Sequence, residues 1–181
     1  MHRNAPAFLG LALCLAFAGS AAAAEPAGDA AAFKADVLDN YNDAADKLLQ
    51  LAEAIPAEKY GWAPGEGVRS VSRVFMHVAA GNYFLSSFLG HPMPEGLRDY
   101  EKETDKAKVI EKLKASVEAT RKIIQDAPGA AMNDQVDWFG KKVSKRSMLM
   151  RLATHAHEHL GQAIAYARSV GTAPPWSKKE G

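Results

Sequence analysis

Three histidines are the residues of this sequence whose types and spacing are best suited to chemistry. His155 and His159 lie four positions apart in the segment SMLMRLATHAHEHLGQAIAYAR, so in an α-helix their imidazoles are separated by only about 40° around the axis. His77 lies on the apolar side of another segment with helical periodicity. Three imidazoles on facing helices suit one divalent metal ion and leave coordination positions open for water or substrate. His157 lies about 200° from His155 by the same geometry, so we expect it to face solvent.

Polar residues extend the face that carries this pair. Gln162 follows His159 and is a candidate to orient a ligand or a bound water, with a hydrogen bond between helices as the alternative. Arg151 precedes His155 by one turn, where it could meet an anionic group or pair across to another helix. Glu158 lies about 60° off the line of the histidines, and we interpret it as a surface charge rather than a partner of a ligand. Aromatic residues near His77 are interpreted as core packing rather than pocket lining: Tyr60, Trp62, Tyr83 and Phe84.

The surrounding pattern excludes several known kinds of site. The residue after His155 is Ala156, so the glutamate of the metalloprotease motif H-E-x-x-H is missing. No glutamate is followed three positions later by histidine, which excludes the Glu-x-x-His pairs of di-iron bundles. A phosphate-binding glycine loop and a G-x-S-x-G elbow are also absent from the sequence. On residue patterns alone, hydrogen-bonded core histidines stay open as an alternative to metal ligands.

Composition narrows the classes of protein further. The chain has 181 residues, 48% of them hydrophobic and 24% charged, which is typical of one soluble domain. Basic and acidic residues number 22 and 21, so there is no broad positive field to bind nucleic acid. The single cysteine, Cys14, excludes an internal disulfide and a cysteine-rich metal cage.

The first 24 residues predict a secretory signal peptide. They combine Arg3, an apolar stretch from Phe8 to Phe17, and small residues that end before Glu25. The apolar stretch is too short to cross a hydrocarbon layer of about 30 Å, so a membrane anchor is disfavoured. We expect a mature chain of residues 25–181 that is periplasmic or secreted and has no membrane association after cleavage.

The mature chain is predicted to form one all-α domain. Apolar positions recur at steps of three and four, and they predict helices over residues 31–54, from a Ser70 cap to about 89, from 104 to 128 and from 145 to 170. Asp105 is expected in the first turn of the third helix. Glycine and proline favour a long structured connection without regular elements over residues 57–70, and residues 136–143 predict a short turn or hairpin. Four such helices predict an antiparallel four-helix bundle.

The chain resembles the DinB family of small four-helix-bundle proteins, from about residue 32 to residue 175. The motif H-x-x-x-H-x-G-Q, which ends at Gln162, is the most specific feature of the resemblance, and a WFGK turn precedes its helix. Before His77, the segments IPAE, WAP and VRS are similar to the connection that leads into the second helix in this family. Gly171 and the prolines that follow it are similar to the end of the family's domain. The resemblance implies that His77, His155 and His159 are the ligands of one divalent metal ion, usually zinc or nickel.

The resemblance leaves the reaction open. Some relatives are thiol S-transferases, and others look like metal-dependent hydrolases or isomerases. The first hypothesis is therefore an exported enzyme with hydrolase-type or thiol S-transferase-type chemistry on a small-molecule substrate. The alternative is a non-catalytic bundle that binds a metal or a small ligand. Imidazoles alone also accept cobalt and copper. Small bundles commonly form homodimers, although no exposed stripe in the sequence demonstrates one here.

Overall fold

Four long helices follow one another in the order that the sequence predicts. The computed structural model describes residues 27–177, and the predicted signal peptide lies outside these residues. The helices are α1 (Ala27–Ala54), α2 (Val71–Ser87), α3 (Lys106–Asp126) and α4 (Lys145–Ser169). A hairpin of β1 (Gln135–Trp138) and β2 (Lys141–Ser144) precedes α4, and short 3-10 helices occupy Ala57–Lys59, Leu97–Lys102 and Gly129–Ala131. Within the described part of the chain, none of the helices is both apolar and long enough to span a bilayer.

The helices form a bundle in which α2 and α4 face each other. Both α1 and α2 pack against α3 and against α4, so α1 and α2 lie diagonally across the bundle. A diagonal crossing needs a longer connection than neighbouring helices do, which accounts for the long segment between α1 and α2. The centre of the bundle is filled by large, fully buried side chains: Tyr41, Leu48, Leu51, Phe75, Met76, Leu113, Ile124, Met148 and Leu149. The contact between α2 and α4 brings together the two helices that carry the candidate ligands.

Helix ends follow local capping chemistry. Ser70 accepts a hydrogen bond from the Arg73 backbone N–H, and Ser144 accepts one from Ser147, which confirms both predicted caps. Asp105 was expected in the first turn of α3 but is its N-cap, since its carboxylate accepts a hydrogen bond of 3.0 Å from the Lys108 backbone N–H. That bond satisfies a backbone donor that has no partner within the helix, so α3 begins two residues later than expected.

The connections contain more regular structure than the sequence predicts. The expectation of no regular element over residues 57–70 was wrong at Ala57–Lys59, where three residues without glycine form a 3-10 helix after Pro56. The predicted hairpin is confirmed, with Val136 opposite Val143 in an antiparallel ladder. The 3-10 helix Leu97–Lys102 was not predicted; it follows Gly96, which turns the chain at a φ of 70°, and it packs against α2.

Candidate metal centre

The three candidate histidines converge between α2 and α4. One ring nitrogen from each of His77, His155 and His159 lies within 4.8 Å of the others. The centroid of the His159 ring is 4.7 Å from that of His77 and 4.6 Å from that of His155. The helical spacing of His155 and His159 accounts for their common direction, and the packing of α2 on α4 brings His77 to them.

A carboxylate holds the His77 ring. Nδ1 of His77 lies 2.9 Å from Oε1 of Glu101, in the 3-10 helix Leu97–Lys102. A carboxylate accepts a hydrogen bond, so this contact places the ring proton on Nδ1 and leaves the lone pair of Nε2 free. Burial lowers the pKa of His77, and the hydrogen bond with Glu101 offsets that effect only in part. The ring is therefore held in its neutral form, which is the form that binds metal ions.

Two arginines fix Glu101 in turn. Arg69 donates to both carboxylate oxygens, at 3.0 and 3.1 Å, and Arg73 donates to Oε2 at 3.2 Å. Burial alone would raise the pKa of Glu101, but the hydrogen bonds from Arg69 and His77 outweigh it, and the pKa lies below its ordinary value. The carboxylate is therefore ionised at neutral pH and accepts the His77 proton as a strong, charge-assisted hydrogen bond.

Substituting Glu101 tests this support. We expect Glu101→Gln to weaken zinc binding about tenfold, the lower end of the range for partners of metal ligands, because an amide is a weaker acceptor for the His77 N–H. Titration against a chromogenic chelator measures the affinity. Glu103→Gln is the matched control, since the Glu103 carboxylate pairs with Lys112 at 3.4 Å and accepts from the backbone N–H groups of Thr104 and Asp105 rather than from a histidine. Equal affinities for the two variants would show that Glu101 does not support the site.

His159 has its own support along α4. Its Nδ1 lies 2.9 Å from Oε1 of Gln162, whose Nε2 donates to the Tyr166 hydroxyl at 3.2 Å. Tyr166 in turn contacts the edge of the Trp62 ring, at a centroid distance of 5.4 Å. The prediction that Gln162 could orient a ligand therefore agrees with the geometry: an amide oxygen accepts the Nδ1 proton and leaves Nε2 of His159 free.

His155 is the histidine without such a partner. Within residues 27–177 its Nδ1 is buried and accepts or donates no hydrogen bond. Burial, followed by the neighbouring His159, His77 and Arg69, lowers the pKa of His155 to about 3. A buried ring nitrogen without a partner is destabilising. A neutral imidazole in this position, beside two rings with free Nε2 atoms, is a donor set that fits zinc and similar divalent ions.

The depressed pKa of His155 predicts acid sensitivity of the metal-free protein. An unfolded histidine takes up a proton below pH 6.5, whereas the folded ring stays neutral down to about pH 3. The free energy of unfolding should therefore fall as the pH drops through this window, by on the order of 2 kcal/mol between pH 7 and pH 5. Urea unfolding at each pH, in the presence of a chelator, measures this free energy. The variant His155→Gln has no titrating ring at this position, so its free energy of unfolding should fall by about 2 kcal/mol less over the same pH range. An equal fall in the two proteins would contradict the prediction.

The shape of the site depends on Gly81, which sequence reasoning did not single out. A Cβ atom built on Gly81 would lie 2.2 Å from Cε1 of His155. Only a residue without a side chain allows α2 to approach the His155 ring this closely. A glycine in the middle of a helical pattern does signal close backbone approach, so the sequence contained a usable sign. The sequence contained no such sign for Glu101, because the residues that contact it lie in distant parts of the chain.

Other candidates from the sequence lie away from the centre. His157 is exposed and its Nε2 contacts the Asn40 carbonyl at 2.9 Å, which confirms the prediction from helical geometry. Glu158 is also exposed, as expected for a surface charge. The Arg151 guanidinium lies over the Trp138 ring, 4.7 Å from its centroid, so this arginine packs on an aromatic ring rather than facing the histidines.

Most of the aromatic residues near His77 pack as expected, with one difference. Tyr60 is fully buried and its hydroxyl donates to the Ala52 carbonyl at 2.5 Å. Phe84, by contrast, is 37% exposed and lines an open cleft of about 1030 Å³. His77 and Gly81 line the same cleft, which we call the His77 cleft, so it connects His77 with solvent.

The comparisons with known proteins agree with the fold and with the family resemblance of the sequence. A model of the DinB family matches residues 32–180. The protein YjoA of Bacillus subtilis (strain 168) is 25% identical over 127 residues, which cover 67% of this chain and 80% of YjoA. A crystal structure of YjoA, a DinB-like protein, has a TM-score of 0.62 at 21% identity and covers 81% of this chain and 99% of YjoA.

A second solved structure has the same fold. The crystal structure of a DinB-like protein from Bacillus cereus ATCC 10987 has a TM-score of 0.69 at 17% identity. The match covers 78% of this chain and 95% of the Bacillus cereus chain. Since the family model spans most of the sequence and includes all three histidines, this chain belongs to the DinB family.

Proposed function

We propose that this chain is an exported DinB-family protein that binds one divalent metal ion, zinc or nickel, through His77, His155 and His159, and that it is a metal-dependent enzyme. The observation that carries the proposal is the convergence of three imidazole nitrogens within 4.8 Å. Two of these rings have Nδ1 engaged by Glu101 or Gln162, which leaves Nε2 available on both. Such support of the ligands is a common property of metal sites in proteins.

A divalent ion held by three imidazoles acts as a Lewis acid toward a substrate group or water. The protein's part is to fix the ligands and to admit a small molecule. Glu101 and Gln162 hold two rings in one orientation, while the His77 cleft offers a path from solvent. Of the two reaction types, export favours hydrolase-type chemistry, because reduced thiols are maintained in the cytosol rather than outside it.

A non-catalytic metal- or ligand-binding role is the second candidate. It is favoured by the state of Glu101, the carboxylate in contact with His77, whose two oxygens already accept from Arg69, Arg73 and His77. A carboxylate engaged in this way is a poor general base. Chromogenic esters, phosphate esters and amides would separate the candidates. Metal-dependent turnover that His155→Ala abolishes supports the enzyme, whereas metal-loaded protein without turnover on the whole panel supports the binding role.

Elemental analysis tests the metal proposal directly. Protein purified without chelator, or incubated with zinc or nickel and then desalted, should contain about one divalent ion per chain. Absence of an ion after both treatments would overturn the proposal. Export is tested separately by the mass of the protein recovered outside the cytoplasm, which should correspond to a chain that begins at Glu25. Recovery of the uncleaved chain in the cytoplasm would contradict export.

A further inference from the structure

The His77 cleft has a lining that selects for a particular kind of molecule. It lies between α2 and the segment that includes the 3-10 helix Leu97–Lys102, and its volume is about 1030 Å³. A cleft of this size accommodates a small organic molecule. His77 and Gly81 both line it, and Gly81 lies against the His155 ring, so a molecule in the cleft lies beside His77.

The cleft is bordered by apolar side chains that remain accessible to solvent. Phe84 is 37% exposed and Met93 is 50% exposed, and both line the cleft together with Leu97. Accessible apolar groups that surround a concave site gain free energy when a ligand covers them. The lining therefore favours a ligand with an apolar body.

Phe139 adds an aromatic ring next to this border. It lies at the tip of the hairpin, 74% exposed, and its ring centroid is 6.3 Å from that of Phe84. Among the described residues it is the one non-glycine residue with a positive φ, at 51°. The two-residue turn of the hairpin accounts for this conformation, since Gly140 beside it also has a positive φ, of 80°. The ring packs on Trp138 at a centroid distance of 4.8 Å, and its exposed part extends the apolar surface beside Phe84.

The charge of the cleft is positive once its internal pairs are considered. Asp99 pairs with Lys102, and Glu101 is held by Arg69 and Arg73 as well as by His77. The remaining charged residue of the lining is Arg98, which has no ion pair or hydrogen bond within residues 27–177 and is exposed. A free guanidinium beside an apolar surface is suited to a carboxylate or a sulfonate.

We propose that the His77 cleft binds a small organic anion with a flat apolar body, the body against Phe84 and the anionic group at Arg98. This inference deepens the proposed function and rests on it for the role of the molecule as a substrate. Binding itself depends on Phe84 and Arg98 and requires no metal ion. It can therefore be measured on metal-free protein, apart from any catalytic reaction.

Two fluorescent dyes with related ring systems test the inference. One is 8-anilinonaphthalene-1-sulfonate, and the other is N-phenyl-1-naphthylamine, which lacks the sulfonate. Arg98→Gln should weaken binding of the anionic dye about tenfold, the loss expected for one charge-assisted hydrogen bond, and change that of the neutral dye less than about twofold. Phe84→Ala should weaken both dyes. Met150→Ala, which removes an exposed apolar side chain from the groove beside His157, is the control and should weaken neither.

The outcomes separate this inference from the metal proposal. If Arg98→Gln leaves the affinity of the anionic dye unchanged, or Phe84→Ala leaves both affinities unchanged, the inference is wrong. Metal content measured on the same preparations is independent of these results. One ion per chain with dye binding insensitive to Arg98 and Phe84 would retain the metal proposal and remove the anion site. If the dyes bind as expected but the protein takes up no metal, the anion site is retained and the metal proposal is wrong.

Discussion

Protein with alanine in place of His155 is expected to bind zinc more than about 100-fold more weakly than the wild type, since even loss of a partner of a ligand costs ten- to a hundredfold. The substitution removes one of the three converging imidazoles. It also removes a buried ring nitrogen that has no partner in the described protein, which offsets part of the packing that is lost with the ring. If the variant keeps the helix content of the wild type, weaker metal binding is not a consequence of unfolding.

His157→Ala is the matched comparison. His157 lies two positions away on the same helix, is exposed, and contacts the Asn40 carbonyl rather than the other histidines. Its removal should leave the zinc affinity unchanged. Competition with a chromogenic chelator gives both affinities, and circular dichroism verifies the helix content of each variant. If the two substitutions weaken zinc binding equally, zinc binds along the exposed surface of α4. If both variants keep the zinc affinity of the wild type, His155 is not a ligand.

Periodicity and local capping predicted most of the fold. The steps of three and four residues located all four helices, because each helix buries one apolar face in the bundle. The caps at Ser70 and Ser144 were also predictable from local sequence. In each, the serine hydroxyl accepts a hydrogen bond from the backbone N–H three residues later, which has no partner within the helix. The diagonal relation of α1 and α2 was not predictable, because it depends on packing between all four helices rather than on any one segment.

The candidate ligands were predictable, but most of their support was not. The spacing of His155 and His159 fixes their common face, and Gln162 lies on that face one turn later, so local geometry was sufficient. Glu101 contacts His77 across 24 positions and belongs to a 3-10 helix that no apolar pattern indicates. A contact of this kind depends on where the chain returns after Gly96, which the sequence of the segment alone does not determine.

Arg69 and Arg73 connect this distant segment to the start of α2. Arg69 directly precedes the Ser70 cap and Arg73 lies in the first turn of α2, and both donate to Glu101. The same carboxylate that orients the His77 ring therefore joins the 3-10 helix to the start of α2. The free arginine of the proposed anion site, Arg98, belongs to that 3-10 helix. The segment therefore holds the His77 ring on one side and borders the cleft on the other, so under the proposed function one short connection would influence both metal affinity and the choice of substrate.

Gly81→Ala is expected to weaken zinc binding about 100-fold, as loss of a supporting group at a metal site can do, although it adds only one methyl group. The new Cβ would lie 2.2 Å from Cε1 and 2.7 Å from Nε2 of His155. These separations are much shorter than van der Waals contact, so the His155 ring must move away from the other two rings. Alanine is otherwise favourable inside a helix, by about 1 kcal/mol relative to glycine. A loss of affinity would therefore reflect the displaced ring rather than a weaker helix.

Gly161→Ala supplies the control for this last prediction. Gly161 lies in α4 between His159 and Gln162, and a Cβ built on it meets no atom within 4 Å. Its substitution should retain the zinc affinity and raise the free energy of unfolding by about 0.5–1 kcal/mol. Chelator competition and urea unfolding measure the two quantities. If Gly81→Ala binds zinc as the wild type does while His155→Ala does not, the His155 ring has room to move and still bind the ion, and close approach of α2 is not what positions it.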